Sequence, residues 1–175
     1  IQAHAAWAIG TSVKNTEEFF PFAVEPFLIK DNDRTTAIEE LIKLFCKNYQ
    51  DPNSWEIRKL MEKTIYGIGS LLRGNRLAQA HIVGTGAASQ LGKVFLTMVS
   101  DQLQSAGFKV IQKLLSLAGD MVSDIVLHPD NATPDINTKV LAAFSTLEWC
   151  GATAQMIETD VFLAAPVQQT LLETV

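Results

Sequence analysis

The stretch Gly84-Thr85-Gly86-Ala87-Ala88-Ser89-Gln90-Leu91-Gly92-Lys93 holds the residue types that cradle a phosphate. Glycines let backbone N–H groups close on an anion, and a lysine neutralises it. The spacing does not assemble them. A phosphate loop needs glycine five residues before the Gly92-Lys93 pair, where Ala87 stands, and a hydroxyl after the lysine, where Val94 stands. The dinucleotide fingerprint fails as well, because Ser89 takes the place of its third glycine. No strand pattern precedes the run, so it reads as a turn between two helices. His4, His81 and His128 stand apart from Cys, Asp and Glu at ligand spacings, which leaves a zinc site without support. Cys46 and Cys150 are too few for a disulfide framework and read as small buried hydrophobes. Glu17-Glu18 and Glu39-Glu40 are adjacent pairs. Neighbours on a helix do not share a face, so both pairs read as solvated charge. No serine sits in a strand-turn-helix nucleophile motif. The expectation is a protein that is not an enzyme, with no catalytic residue, no metal ligand and no cofactor.

Composition narrows the class further. At 47% hydrophobic and 19% charged, 175 residues can bury a core, and the chain is too apolar for a disordered tail. The net charge of -5 and the scatter of Lys and Arg show no basic patch or stripe, so no nucleic-acid partner is expected. No stretch reaches the 18 or so apolar residues that a membrane span needs, so no membrane insertion is expected. Asn131-Ala132-Thr133 is a glycosylation acceptor pattern, weakened by Pro134. A chain that opens on Ile1 with no signal peptide reads as one domain, residues 1–175, from a longer protein.

The elements that carry these residues read as helices, with apolar side chains recurring every three and four. Helices are expected over about 1–14, from Thr16, over 36–49, 54–73, 75–83, 87–103, 105–127 and 134–149, over 152–162 and from Pro166. The breaks fall at Pro26 to Asp33, Asp51-Pro52 and His128 to Asn131. Asn53 and Glu56 suit a capping box. The expected core stripes are Ile38, Leu41, Ile42, Phe45 and Tyr49, then Ile57, Leu60, Met61, Ile65, Ile68 and Leu72. Gly67 and Gly69 cost helix propensity and are explained by close approach of another helix.

An internal repeat links these helices. Ala5-Ala6-Trp7-Ala8-Ile9-Gly10-Thr11, followed by Lys14-Asn15, returns 59 residues later as Thr64-Ile65-Tyr66-Gly67-Ile68-Gly69-Ser70, followed by Arg73-Gly74. Ile68 and Leu117 match at a further offset of 49, and Phe144 and Ala154-Gln155 match Ile68 and Ala78-Gln79 at 76. Short, medium and long helices in rotation point to an all-α, armadillo-like right-handed solenoid of about four irregular repeats. The spacing of 59 implies an insertion between Pro26 and Asn53. The 27 residues from Leu117 to Phe144 imply a unit short of a helix or two.

Over residues 3–99 the chain resembles the armadillo-type nucleotide exchange factors of the 70-kDa heat-shock chaperones. The likeness rests on Ala5-Ala6-Trp7-Ala8-Ile9-Gly10-Thr11 with Lys14-Asn15, then Gly69-Ser70-Leu71-Leu72-Arg73 with Ala78-Gln79. The resemblance implies a non-enzymatic co-chaperone that clasps the ATPase domain of a DnaK/BiP-class chaperone and releases ADP. The Ser-Leu-Leu-Arg form looks more like the endoplasmic-reticulum branch that serves BiP than the cytosolic branch. An armadillo scaffold that binds an extended peptide is the competing reading. It is weakened because Trp7 becomes Tyr66 and then Leu115, and Asn15 becomes Gly74. On the long helices the positions opposite the apolar stripe are expected to face the partner: Lys14, Lys63, Tyr66, Ser70 and Arg73, with Gln112 and Lys113.

Overall fold

A computed structural model of the chain describes residues 1–14, 16–28, 33–49, 54–102, 108–127 and 134–158. It is mostly helical. Helix α1 spans Gln2–Val13, and 3-10 turns follow at Glu17–Phe19 and Pro21–Ala23. Two short strands, β1 (Phe27–Leu28) and β2 (Arg34–Thr35), pair antiparallel with Phe27 opposite Thr35. Then come α2 (Ala37–Asn48), α3 (Trp55–Leu72), α4 (Arg76–Gly84), α5 (Ala87–Gln102), α6 (Phe108–Leu127), α7 (Pro134–Phe144) and α8 (Leu147–Glu158). The β1–β2 ladder flanks the break expected from Pro26 to Asp33. The helix expected from Pro166 lies outside the described residues.

Local chemistry sets the helix ends. Thr36 opens α2 with a reciprocal capping box: its hydroxyl accepts from the Glu39 N–H, and the Glu39 carboxylate accepts from the Thr36 N–H at 3.1 Å. No such box opens α3. Ser54 is its cap residue and donates to Glu56 Oε2 at 2.6 Å, while Asn53 lies outside the described residues. Asn75 caps α4 by accepting from the Ala78 N–H at 3.2 Å. Gly74, at φ 68°, supplies the left-handed turn ahead of it. The expected helix over 134–149 is two helices, broken at Ser145-Thr146. Gly151 therefore lies inside α8 rather than at a helix end. The break brings Phe144 and Trp149 together, with ring centroids 5.0 Å apart.

The helices pack in three files. In the first, α1 lies on α3 and α3 on α6; in the second, α2 lies on α5 and α5 on α8; in the third, α4 lies on α7. One core runs through them, from Ala6 and Val13 through Phe45, Ile68, Phe95 and Leu114 to Trp149 and Met156. Of the expected stripes, Ile38, Leu41, Ile42, Phe45, Met61, Ile65, Ile68 and Leu72 are buried, while Tyr49, Ile57 and Leu60 lie at the core edge.

The files correct the repeat arithmetic. The offsets of 59 and 49 join α1, α3 and α6, which do stack in succession. The offset of 76 equates α8 with α4 and α7 with α3, pairs that occupy different files. The region from Pro26 to Asn53, expected as an insertion, contains α2, which packs on α3 and also meets α5. The short Leu117–Phe144 spacing does not mark missing helices, since it ends on α7, outside the α1–α3–α6 file. Gly67 does admit a close helix: a Cβ there would lie 2.9 Å from the Ala6 carbonyl oxygen. Gly69 has room, its nearest neighbour being Leu117 Cδ1 at 3.9 Å.

Candidate protein-interaction face

The long helix α3 turns Met61, Ile65, Ile68 and Leu72 inward, so the opposite strip carries Lys59, Lys63, Tyr66 and Arg73, one to two turns apart. Lys63, Tyr66 and Arg73 are each tied to a neighbour in the same file, while Lys59 lies over the Trp55 ring of α3 itself. The Lys63 ammonium lies 5.2 Å from the centre of the Trp7 ring on α1. The Tyr66 ring packs over Gly10, where a Cβ would meet Tyr66 Cδ1 at 3.1 Å. Arg73 pairs with Asp120 of α6. A shallow groove of ≈ 90 Å³ runs between α3 and α6, edged by Tyr66, Gly69, Arg73, Lys113, Ser116 and Asp120.

Of the seven residues expected to face a partner, Tyr66, Arg73 and Lys113 therefore share one groove, and Lys63 stands one turn away on α3. Lys14 is exposed at the end of α1. Gln112 is half-buried on α6 and does not line the groove. Ser70 is not available to a partner: it is 7% exposed, because α1 and α6 flank α3 closely and narrow its open strip. Trp7, Ser116 and Asp120 belong to the face and were not expected there. Trp7 was legible only as a repeat residue, and Asp120 joins Arg73 from 47 positions away.

Other residues with chemical potential are engaged in holding helices together. Glu39 and Glu40 are not free solvated charge. The Thr35 hydroxyl donates to Glu40 at 2.8 Å, with Glu39 3.2 Å away, and Lys43 pairs with Glu40 at 2.9 Å. His81, expected to stand apart from acids, reaches Glu39 at 3.0 Å and so joins α4 to α2. Burial pulls the Glu39 carboxyl upward, but bonds from the Thr36 N–H, His81 and Thr35 outweigh it and leave the group below the ordinary carboxylate value. Arg76, Asp124 and Gln79 form a buried polar knot between α4 and α6. Arg76 lies 3.2 Å from the Asp124 carboxylate, and Gln79 donates both to that carboxylate at 2.8 Å and to the Leu72 carbonyl at 2.9 Å.

Cys46 is half-buried, and burial pushes its thiol pKa up. Cys150 is exposed rather than buried, at the edge of a groove of ≈ 430 Å³ between α6, α7 and α8 that is lined mainly by apolar side chains. The Gly84-Thr85-Gly86 run turns between α4 and α5, with Gly86 at φ 74°, and has a helix before it where a phosphate loop has a strand. Among the described residues no group of three or more His, Cys, Asp and Glu could hold a metal ion. Among them, too, no single helix is long and apolar enough to cross a membrane.

Compared in turn with protein families, curated proteins and solved structures, the chain matches none.

Proposed function

We propose that this chain is an armadillo-like helical solenoid that binds another protein through the α1–α3–α6 face. Its action in this reading is nucleotide exchange on the ATPase domain of a 70-kDa heat-shock chaperone. The observation that carries the proposal is the three-file packing, in which α1, α3 and α6 stack in succession and the strip of α3 opposite its apolar stripe carries Lys59, Lys63, Tyr66 and Arg73. The preference for a chaperone partner, and for BiP in the endoplasmic reticulum over a cytosolic relative, rests on the sequence resemblance at residues 5–15 and 69–79.

Exchange in this form needs no catalytic group. A rigid face that binds the open ATPase domain more tightly than the closed one shifts the population toward the open state, and ADP leaves. Tyr66 supplies an aromatic anchor, with Lys63, Arg73 and Lys113 as its polar surround. The test is release of a fluorescent ADP analogue from candidate chaperones, with and without the protein. Faster release that is lost in the folded Tyr66→Ala/Arg73→Ala double variant supports the proposal; unchanged release from every chaperone overturns it.

A scaffold that binds an extended peptide is favoured by one observation of its own. Aromatic and cationic side chains alternate across three adjacent helices, as Trp7, Lys63, Tyr66 and Lys113 do.

A further inference from the structure

The chain carries a net charge of -5, yet its cations are unevenly placed. The exposed strips of α1, α3 and α6 hold Lys14, Lys59, Lys63, Arg73, Lys109 and Lys113, six of the 14 Lys and Arg. On the same strips, among the described residues, stand Glu56, Glu62 and Asp120, three of the 19 acids. A cationic stripe absent from the linear sequence is thus gathered by the packing of α3 against α6, with Lys14 following the end of α1. The rest of the molecule is correspondingly acidic, so the field across the protein is polarised.

We infer that the α1–α3–α6 face is a docking site for an acidic polypeptide segment. The inference rests on reading that face as the binding face; it does not require the partner to be a chaperone. Three observations argue for it together. Charge complementarity favours carboxylates opposite Lys63, Arg73 and Lys113. The Trp7 ring, 45% exposed, and the half-buried Tyr66 ring offer flat apolar contacts between those cations. The third is the Arg73–Asp120 pair, in which a carboxylate from the protein itself already occupies the guanidinium at the edge of the groove. Asp120 marks where an incoming carboxylate binds and competes with it. Packed helices lie about 8–10 Å apart, and an extended chain advances about 3.3 Å per residue. Acidic residues about three positions apart would therefore meet cations on successive helices. A nucleic acid longer than the stripe would meet the acidic remainder of the molecule, which a short segment with a few carboxylates does not reach.

The test uses the full chain and a fluorescein-labelled peptide of four Glu-Tyr-Ser repeats, with its Gln-Tyr-Ser counterpart and an oligothymidylate of equal length as comparisons. Fluorescence anisotropy should show the Glu peptide binding, the Gln peptide at least tenfold weaker, and affinity falling between about 50 and 200 mM salt. The neutral triple variant Lys63→Gln/Arg73→Gln/Lys113→Gln should lose roughly tenfold or more, while Lys47→Gln/Lys139→Gln, exposed cations on α2 and α7, should change nothing. Asp120→Asn should tighten binding severalfold by removing the internal competitor. Circular dichroism establishes that each variant is folded. Three results would each overturn the inference: no binding of the Glu peptide, equal loss in the Lys47/Lys139 variant, or tighter binding of the oligothymidylate through the same residues. Failure of the ADP-release assay with peptide binding intact would remove the exchange reading and leave the acidic docking site standing.

Discussion

Gly10 of α1 and Gly67 of α3 meet backbone to backbone: a Cβ added to Gly10 would lie 2.8 Å from the Gly67 Cα. The contact brings α1 close enough to α3 for Trp7 to sit beneath Lys63 and for Tyr66 to cover Gly10. Gly67→Ala should therefore push α1 off α3. Overpacking of this kind costs about 1–3 kcal/mol, offset by about 1 kcal/mol of gained helix propensity. Gly69→Ala gains the same propensity and meets only Leu117 Cδ1 at 3.9 Å, so it should leave stability unchanged or raise it. Urea denaturation of the two variants side by side checks the sign difference.

Trp149 is a second point where a glycine makes room. Its indole N–H donates to the Ala88 carbonyl at 3.2 Å, and a Cβ on Gly92 would lie 2.7 Å from the indole nitrogen. Gly92→Ala should displace the ring from Ala88 and from Phe95, whose centroid is 5.3 Å away. The expected loss is about 2 kcal/mol or more, from overpacking together with an unmade buried hydrogen bond. A red shift in the tryptophan emission should accompany it, read against Trp149→Phe to separate Trp149 from Trp7 and Trp55.

The repeat motif was legible at 59 residues because α1 and α3 stack in one file and need the same small and aromatic residues at the same heights. The partner of Gly10 was not legible. Sequence alignment pairs it with Gly69, but the offset between stacked helices places Gly67 there. Thr36-Ala37-Ile38-Glu39 carries a capping-box pattern of its own, which the structure forms at the start of α2. Tyr66, Arg73 and Lys113 could be placed on a shared face from helical periodicity. Ser70 could not be excluded from it, because its burial depends on how closely α1 and α6 flank α3. Asp120 and His81 find their partners 47 and 42 residues away, across packing that no local spacing encodes.

Glu39 should make the protein sensitive to acid. Its carboxyl is held below the ordinary carboxylate value in the folded state, so the unfolded chain binds that proton more readily. The stabilisation is fully present above the unfolded value and is lost as pH falls through the lower folded value. Glu40, also lowered by Lys43 and Thr35 against the upward pull of burial, acts in the same direction. Stability measured by urea titration should therefore fall as pH drops below the ordinary carboxylate range. Glu39→Gln should be less stable at neutral pH and show a shallower decline. An unaltered slope would remove the Glu39–His81 link as a source of acid sensitivity.

The Arg76–Asp124 pair should be more costly to break than the surface pairs. Its side chains are 10% and 12% exposed, against 62% and 70% for Lys139 and Asp135. Arg76 also donates to the Asp124 carbonyl at 2.9 Å and to Gln79 Oε1 at 2.7 Å, so one side chain fixes the start of α4 to α6. Removing Asp124 leaves a guanidinium in a nearly dry site, and removing Arg76 leaves a carboxylate there. Either should cost about 3–5 kcal/mol, whereas Lys139→Ala should cost under about 1 kcal/mol. The double variant Arg76→Leu/Asp124→Leu removes both charges together and should recover part of the loss. Thermal melts of the single and double variants, combined as a cycle, give the coupling directly. If the single losses merely add, the pair is solvated in solution, and the join between α4 and α6 rests on Gln79, the Arg76 bond to the Asp124 carbonyl and apolar packing.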